Sequence, residues 1–180
     1  MSVARTQTAQ PTVPTGTVVH IETDLSHGLQ SFTIVGLAGK AVDEAKDRVS
    51  AAIKNSGYQS PKQCSQKVVI SLAPADLKKE GPLYDLPIAM SYLMAAGEIT
   101  PRQESIAYIG ELGLDGTLNR VRGILPAVQA LHAAGVREVV VPNDNAAEAA
   151  LVSDITITPA STLAEVLAHV HQHHPAPVSL

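Results

Sequence analysis

Two polar loops hold the charged residues that could take part in chemistry. They are Lys78, Lys79, Glu80 and Asp85 in and after the first loop, and Glu111, Asp115, Arg120 and Arg122 in the second. Carboxylates and lysines can act as general acids or bases, but only where the fold also places a substrate against them. Asp115 is already required by the Asp115-Gly116 turn, and nothing in either loop marks a substrate site. We therefore assign no catalytic residue and expect these side chains to order the loops or to contact a neighbouring module.

A glycine-rich segment, residues 36–41, follows a predicted strand and precedes a predicted helix, as phosphate-binding loops do. A Walker A loop has a glycine, four further residues and then Gly-Lys-Ser/Thr. Here Ile34 stands where the first glycine should be, and Ala41 follows Lys40 where the hydroxyl that reaches Mg²⁺ is needed. We interpret the segment as a turn with a solvated lysine, and we expect this chain alone to bind no cofactor.

The histidines near the carboxyl end could share a helix face, because His169 and His173 are four residues apart. No carboxylate or thiolate completes a metal site there, so a polar helix end is the preferred interpretation. The single cysteine, Cys64, lies between polar residues without a histidine to activate it, which favours a structural or surface thiol.

Composition excludes several classes of protein. The chain has 180 residues, with 13 lysines and arginines against 17 aspartates and glutamates, a formal net charge of −4. A dedicated duplex-DNA binder would be clearly basic, and an aromatic content of 3% leaves few platforms for base stacking. No apolar stretch approaches the length of a membrane span, and the first residues lack the apolar segment of a secretory signal. We expect one cytoplasmic domain with no membrane partner.

The pattern of elements predicts a two-layer α+β domain over residues 18–171, with a poorly ordered segment over 1–17 and a tail or linker over 172–180. Strands are predicted at 18–22, 31–35, 68–72, 106–112, 117–121, 138–141 and 155–158. Helices are predicted at 41–56, 85–96, 123–134, 143–152 and 162–171. The first two strands should form a hairpin through the turn residues 26–29. A second hairpin should have a two-residue turn at Asp115-Gly116, because both positions accept a positive φ. Thr162 with Glu165 should form a capping box.

Several runs resemble one family, in order and at its spacing. They are FTIVGL at 32–37, RVSAAIKNSG at 48–57, LAPADLKKEGP at 72–82, YDLPIA at 84–89, and the segments 110–126 and 141–152. Together they resemble the N-terminal, ChlI-like domain of the Mg-chelatase-like AAA+ ATPases of the YifB or competence protein M type, over about residues 2–171. The sequence departs from this family at Ala38-Gly39-Lys40, where Pro-Asp-Thr is usual, and at the Pro/Thr-rich residues 10–17, where a first strand is expected.

The resemblance implies a function for the domain. The resemblance links the chain to DNA processing, branch migration and competence. It places the family's ATP and Mg²⁺ sites in an AAA+ module that we expect to be absent from this chain. We therefore expect a non-catalytic accessory or assembly domain, whose partners are an AAA+ module or sister subunits in a ring oligomer. DNA would be reached only through that complex.

The same domain resembles the proteolytic domain of Lon, within the ribosomal protein S5 domain 2-like fold. Lon-type peptidases use a serine nucleophile after Gly-Pro and a lysine base on a later helix. Gly81-Pro82 is present, but Leu83 stands at the serine position and Ala127 at the lysine position. Neither side chain can supply a nucleophile or a base, so the resemblance extends to the fold and not to peptidase chemistry. Two alternatives stay open: a hydrolase with a rebuilt site using Asp85, Glu111 or Lys79, and a Mg-chelatase subunit that takes part in inserting magnesium into a porphyrin.

Overall fold

The structure is a computed structural model that describes residues 2–12, 14–63, 65–100 and 105–172. Cys64 and residues 173–180, with His173 and most of the predicted tail, lie outside this part. The strands are β1 (Ser2–Pro11), β2 (Gly16–His27), β3 (Ser31–Val35), β4 (Gln66–Ala73), β5 (Ile106–Tyr108), β6 (Glu111–Leu112), β7 (Leu118–Asn119), β8 (Glu138–Pro142) and β9 (Thr156–Ala160). The helices are α1 (Lys40–Asp43), α2 (Ala45–Asn55), α3 (Asp85–Ala95), α4 (Ile124–Ala133), α5 (Ala146–Ala149) and α6 (Leu163–Gln172).

A four-stranded sheet in the order β1-β2-β4-β3 supports one layer of helices. Both α3 and α4 pack on β1 and β2, and α2 packs against α3. All eleven residues of α3 are buried, as its apolar sequence predicts. The parallel sheet β5-β8-β9 and the small hairpin β6-β7 complete the domain. The α+β fold class is confirmed.

Strand β1 corrects the prediction for the start of the chain. Residues 1–17 were expected to be poorly ordered, whereas Ser2–Pro11 pairs with β2 along its whole length. The inward-facing residues of β1 include Thr6, Thr8 and Gln10, which are buried but polar. Because these inward-facing residues are polar, the segment lacks the alternation of apolar and polar residues that predicts a strand. Thr6 Oγ1, for example, donates to the Pro87 carbonyl of α3 at 2.8 Å.

The predicted hairpin between the first two strands is wrong. Strand β2 has β1 on one edge and β4 on the other, so neither of its edges is free for β3. Strand β3 instead pairs with β4 in parallel, and α1 and α2 form the crossover between them. A parallel pair needs a connection of this length, whereas a hairpin needs only the turn.

The predicted strand 106–112 divides at Gly110. Its first part is β5, which pairs with β8, and its second part is β6, which pairs with β7. Between them, the Gly110 N–H donates to the Leu83 carbonyl at 3.1 Å and the Gly110 carbonyl accepts from the Leu86 N–H at 3.0 Å. A Cβ on Gly110 would lie 2.4 Å from a methyl of Leu118, so a larger residue here would require the Leu118 side chain to move.

One local prediction is confirmed and another is confirmed only in part. The β6-β7 hairpin forms, but its loop spans residues 113–117 instead of two residues, and of Asp115 and Gly116 only Gly116 has a positive φ, at +88°. At the start of α6, Thr162 Oγ1 accepts the Glu165 N–H at 3.1 Å, and the Glu165 carboxylate accepts the Ser161 N–H at 2.8 Å. Among the described residues, no helix has the length and apolarity that crossing a bilayer requires.

Candidate functional site

A cleft of about 480 Å³ opens between the loop that precedes α3 and the segment that leads into α4. Four of the predicted residues line it together: Glu80, Glu111, Arg120 and Arg122. The remaining lining comes from the end of β1 and from both loops: Gln10, Pro11, Gly81, Pro82, Leu83 and Val121. The two polar loops of the sequence therefore form the facing walls of one surface feature.

Gln10 holds the first wall in place. Its side-chain Oε1 accepts the Glu80 N–H and the Tyr84 hydroxyl, both at 2.7 Å, and its Nε2 donates to the Lys78 carbonyl at 3.1 Å. Gln10 is only 6% exposed. Burial raises the pKa of Tyr84, so its hydroxyl stays protonated and can donate this bond. No local sequence signal identifies Gln10, because its role depends on contacts about seventy residues away along the chain.

Asn145 holds the second wall. Its Oδ1 accepts the Val121 N–H at 2.9 Å, and its Nδ2 donates to the Val121 carbonyl at 3.0 Å. Because both residues are buried, this pair of hydrogen bonds fixes the main chain between Arg120 and Arg122. The two arginines themselves are exposed at the cleft. Asn145 stands in one of the family-like runs, but no sequence signal assigned it this contact.

Asp85 lies beneath the cleft in a buried ion pair. Arg48 donates to its carboxylate from Nε at 2.7 Å and from Nη2 at 3.0 Å, and the Leu112 N–H donates at 3.0 Å. Burial raises the pKa of Asp85 to about 6, because loss of hydration outweighs the favourable effect of Arg48. The same carboxylate raises the pKa of Arg48. Asp85 thus connects α2, α3 and β6, and it offers no free oxygen on the surface for catalysis.

Lys79 is also fully buried, with 0% exposure. Its ammonium donates to the Gly36 carbonyl at 2.6 Å and to the Pro74 carbonyl. Burial lowers the pKa of Lys79. Its main chain binds the same glycine-rich segment: the Lys79 N–H donates to the Leu37 carbonyl at 2.9 Å and the Gly39 N–H donates to the Lys79 carbonyl at 2.8 Å. Lys79 therefore orders this segment, and the Gly39 N–H is already occupied.

The two remaining predicted residues lie apart from the cleft lining. Lys78 is exposed, and its ammonium lies 3.6 Å from the Glu80 carboxylate. Asp115 is exposed at the hairpin tip, where its Oδ1 accepts the Thr117 N–H at 3.0 Å. Hydrogen bonds from Thr117, from its side chain first and then from its main chain, lower the pKa of Asp115. The local role that the turn predicted for Asp115 is the one it has.

The positions that correspond to the Lon serine and lysine are both filled by buried apolar residues. Leu83 is 5% exposed in the turn just before α3, and Ala127 is 1% exposed on α4. Leu83 also lines the cleft. The cleft therefore borders the position where the resemblance would place a nucleophile, and that position carries a hydrocarbon side chain.

His169 has a structural partner in place of a metal. Its Nε2 lies 2.7 Å from Glu138 Oε1, an oxygen that also accepts the Thr158 hydroxyl at 2.7 Å. In the part of the chain that the structure describes, no three metal-binding side chains come together.

Comparison with known proteins gives one family. The sequence profile of the family described as subunit ChlI of Mg-chelatase matches residues 21–145. Competence protein ComM of Haemophilus influenzae is 38% identical over 163 residues, which make up 90% of this chain and 31% of that protein. The uncharacterized protein YifB of Salmonella typhimurium is 45% identical over 136 residues, 75% of this chain and 26% of that protein.

A more distant similarity extends to a protease. Lon protease 1 of Sorangium cellulosum is 29% identical over 156 residues, 80% of this chain and 19% of that protein. The chain spans less than a third of the length of each of these relatives. The similarity to ComM and YifB, and the weaker one to Lon, agree with the family and the fold that the sequence predicts.

Proposed function

The chain belongs to the ChlI family, and we propose that it is a non-catalytic accessory module that acts with a Mg-chelatase-like AAA+ ATPase. Its task is to contact the ATPase module or a sister subunit in a ring assembly. This proposal extends from the domain to a whole protein by family analogy, because a fold alone does not define a function.

The replaced dyad carries the proposal. A Lon-like mechanism needs a nucleophile and a base, and Leu83 and Ala127 supply neither atom. The buried polar residues Lys79 and Asp85 support the same conclusion, because their polar atoms bind main-chain groups and Arg48. The exposed charges of the cleft are then best explained as contacts to another protein module.

The context we propose is DNA processing in the cytoplasm. One relative is named a competence protein, which supports this assignment. With a net charge of −4, this chain is unsuited to bind DNA by itself, so DNA would be bound by the complete assembly. ATP and Mg²⁺ would likewise be bound by the ATPase module. Calorimetric titration of this chain with Mg·ATP should give no binding heat, and micromolar affinity would contradict this division of roles.

A chimaera tests the accessory role directly. The matching segment of the Haemophilus influenzae ComM protein is replaced by this chain, with and without Arg120→Gln and Arg122→Gln together. Arg137→Gln is the matched control, because Arg137 is exposed outside the cleft. We expect the double variant to reduce ring assembly in sedimentation experiments, while the thermal midpoint of the separate chain stays unchanged. A large fall in thermal midpoint with normal assembly would show that the cleft is only structural.

A further inference from the structure

Arg120 and Arg122 line the cleft without a side-chain partner among the described residues. In the described part of the chain, neither Arg120 nor Arg122 makes a hydrogen bond or an ion pair. The other arginine near the cleft, Arg48, differs because it is bound by Asp85 and by the Ala41 carbonyl. Two guanidinium groups therefore face the solvent on either side of a main-chain residue, Val121, that Asn145 holds fixed.

This fixed presentation favours a ligand that accepts hydrogen bonds from guanidinium groups. An arginine side chain loses entropy on binding, and a rigid main chain keeps the additional cost of ordering small. The planar guanidinium matches carboxylates and phosphates with two parallel hydrogen bonds. The ligand should therefore carry carboxylate or phosphate groups.

Two glutamates in the cleft select between these two ligand classes. Glu80 and Glu111 line the same cleft as the arginines, so a continuous polyanion such as a nucleic acid would meet two carboxylates as well as two guanidiniums. Lys78 offsets Glu80 only in part, at 3.6 Å and with both side chains exposed. A protein segment can place its carboxylates on the arginines and turn uncharged or basic groups toward the glutamates. Charge complementarity therefore favours a peptide.

The size of the cleft fits the same class of ligand. A volume of about 480 Å³ lies within the range of pockets that hold a small molecule or a few side chains. Pro11, Pro82 and Leu83 add apolar surface between the charged walls. Such a surface can pack the aliphatic stem of a glutamate whose carboxylate reaches the arginines.

We propose that the cleft docks an acidic segment of a partner protein, whose carboxylates bind Arg120 and Arg122. This inference deepens the proposed function and depends on it, because it gives the chemistry of the surface that the accessory module recognises. Asn145 acts as a positioning residue that holds the arginines in place.

Fluorescence anisotropy with a short fluorescein-labelled Glu-Gly repeat peptide tests the inference on the 180-residue chain. We expect saturable binding that weakens with added salt and no binding of the Gln-Gly counterpart. Arg120→Gln with Arg122→Gln should weaken the affinity about tenfold or more, whereas Arg137→Gln should leave it unchanged. The absence of saturable binding, or an equal loss in the control variant, would overturn the inference. Tighter binding of a thymidine oligonucleotide that needs the same arginines would overturn it in favour of nucleic acid.

The peptide assay and the chimaera separate the two proposals. If the arginine variants lose the peptide but the chimaera still assembles, the docking chemistry stands and the assembly role fails. If the chimaera loses assembly but the chain never binds the acidic peptide, the accessory role stands and the acidic partner is wrong. Asn145→Ala should weaken peptide binding while both arginines are still present, which a merely electrostatic surface would not show.

Discussion

Replacement of Asn145 by alanine tests whether the second wall of the cleft is held by side-chain clamping. Asn145 is 1% exposed and makes both of its hydrogen bonds to Val121, which is 5% exposed. Alanine leaves the Val121 N–H and carbonyl without their partners in a place that water reaches poorly. The change removes no large apolar side chain, so its effect isolates the polar clamp.

The magnitude follows from the two groups that lose their partner. A buried donor or acceptor left unsatisfied costs about 1–3 kcal/mol. Partial relaxation around Val121 reduces the sum for the two groups, so we expect a loss of about 3 kcal/mol in the free energy of unfolding. For a chain of this size, that loss lowers the thermal midpoint by about 6–12 °C.

The assay is thermal and urea unfolding of three proteins: the unchanged chain, Asn145→Ala and Asn143→Ala. Asn143 lies in the same short helical turn but is exposed, so its replacement should change stability by less than about 0.5 kcal/mol. Equal midpoints for the two variants would refute the clamp. A third variant, Asn145→Asp, keeps the acceptor for the Val121 N–H but places a charge against the Val121 carbonyl, and it should be at least as unstable as the alanine variant.

Three further predictions concern the other buried residues. Burial raises the pKa of Asp85 to about 6 from its ordinary 3.8. The folded state therefore binds this proton more tightly than the unfolded state, which adds about 3 kcal/mol to the free energy of unfolding below about pH 4. This contribution is lost as the pH rises through 6. Urea titrations from pH 4 to 7 should therefore show the unchanged chain losing about 3 kcal/mol relative to Asp85→Asn, and a difference that does not vary with pH would contradict this. Lys79→Met should lower the free energy of unfolding by about 2–3 kcal/mol, because the Gly36 and Pro74 carbonyls lose their donor. The exposed control Lys78→Met should change it little. Similar losses in both variants would show that the buried ammonium does not stabilise the fold through these two bonds. Leu83→Ser should lose about 2 kcal/mol of stability and give no cleavage of a fluorescent casein substrate, since the base is still missing; measurable cleavage would reopen the hydrolase alternative.

Local signals in the sequence predicted most of the helices and the inner strands. Strands β4 and β8 consist of apolar, β-branched runs, and α3 is apolar on every side, so each stands out in a short window. Strand β1 is not predicted because several of its buried side chains are polar. Thr6 and Gln10, for example, find their partners on α3 and in the turn before it. The pairing of β3 with β4 is not predicted, because turn residues indicate where the chain reverses and not which strand the next strand pairs with.

Part of the candidate site was also predicted from the sequence, and part was not. The concentration of charged residues in two loops identified four candidate residues, and the structure places them in one cleft: Glu80, Glu111, Arg120 and Arg122. The side chains that shape the cleft were not predicted, because each acts on a distant part of the chain. Gln10 binds residues 68 to 74 positions away, Arg48 binds Asp85 across 37, and Asn145 binds Val121 across 24.

The division between buried polar groups that have partners and exposed ones that do not supports the docking role we propose for the cleft. Buried polar side chains bind main-chain N–H or carbonyl groups around the cleft: Gln10, Lys79, Asp85 and Asn145. A catalytic group needs a polar atom that faces its substrate, whereas these atoms are taken up by the fold itself. Arg120 and Arg122 are the opposite case, since their guanidinium groups face the cleft and the described residues give them no partner. The fold thus uses its buried polar residues to build the two walls and leaves the cleft arginines available for another molecule, which is the arrangement a docking surface requires.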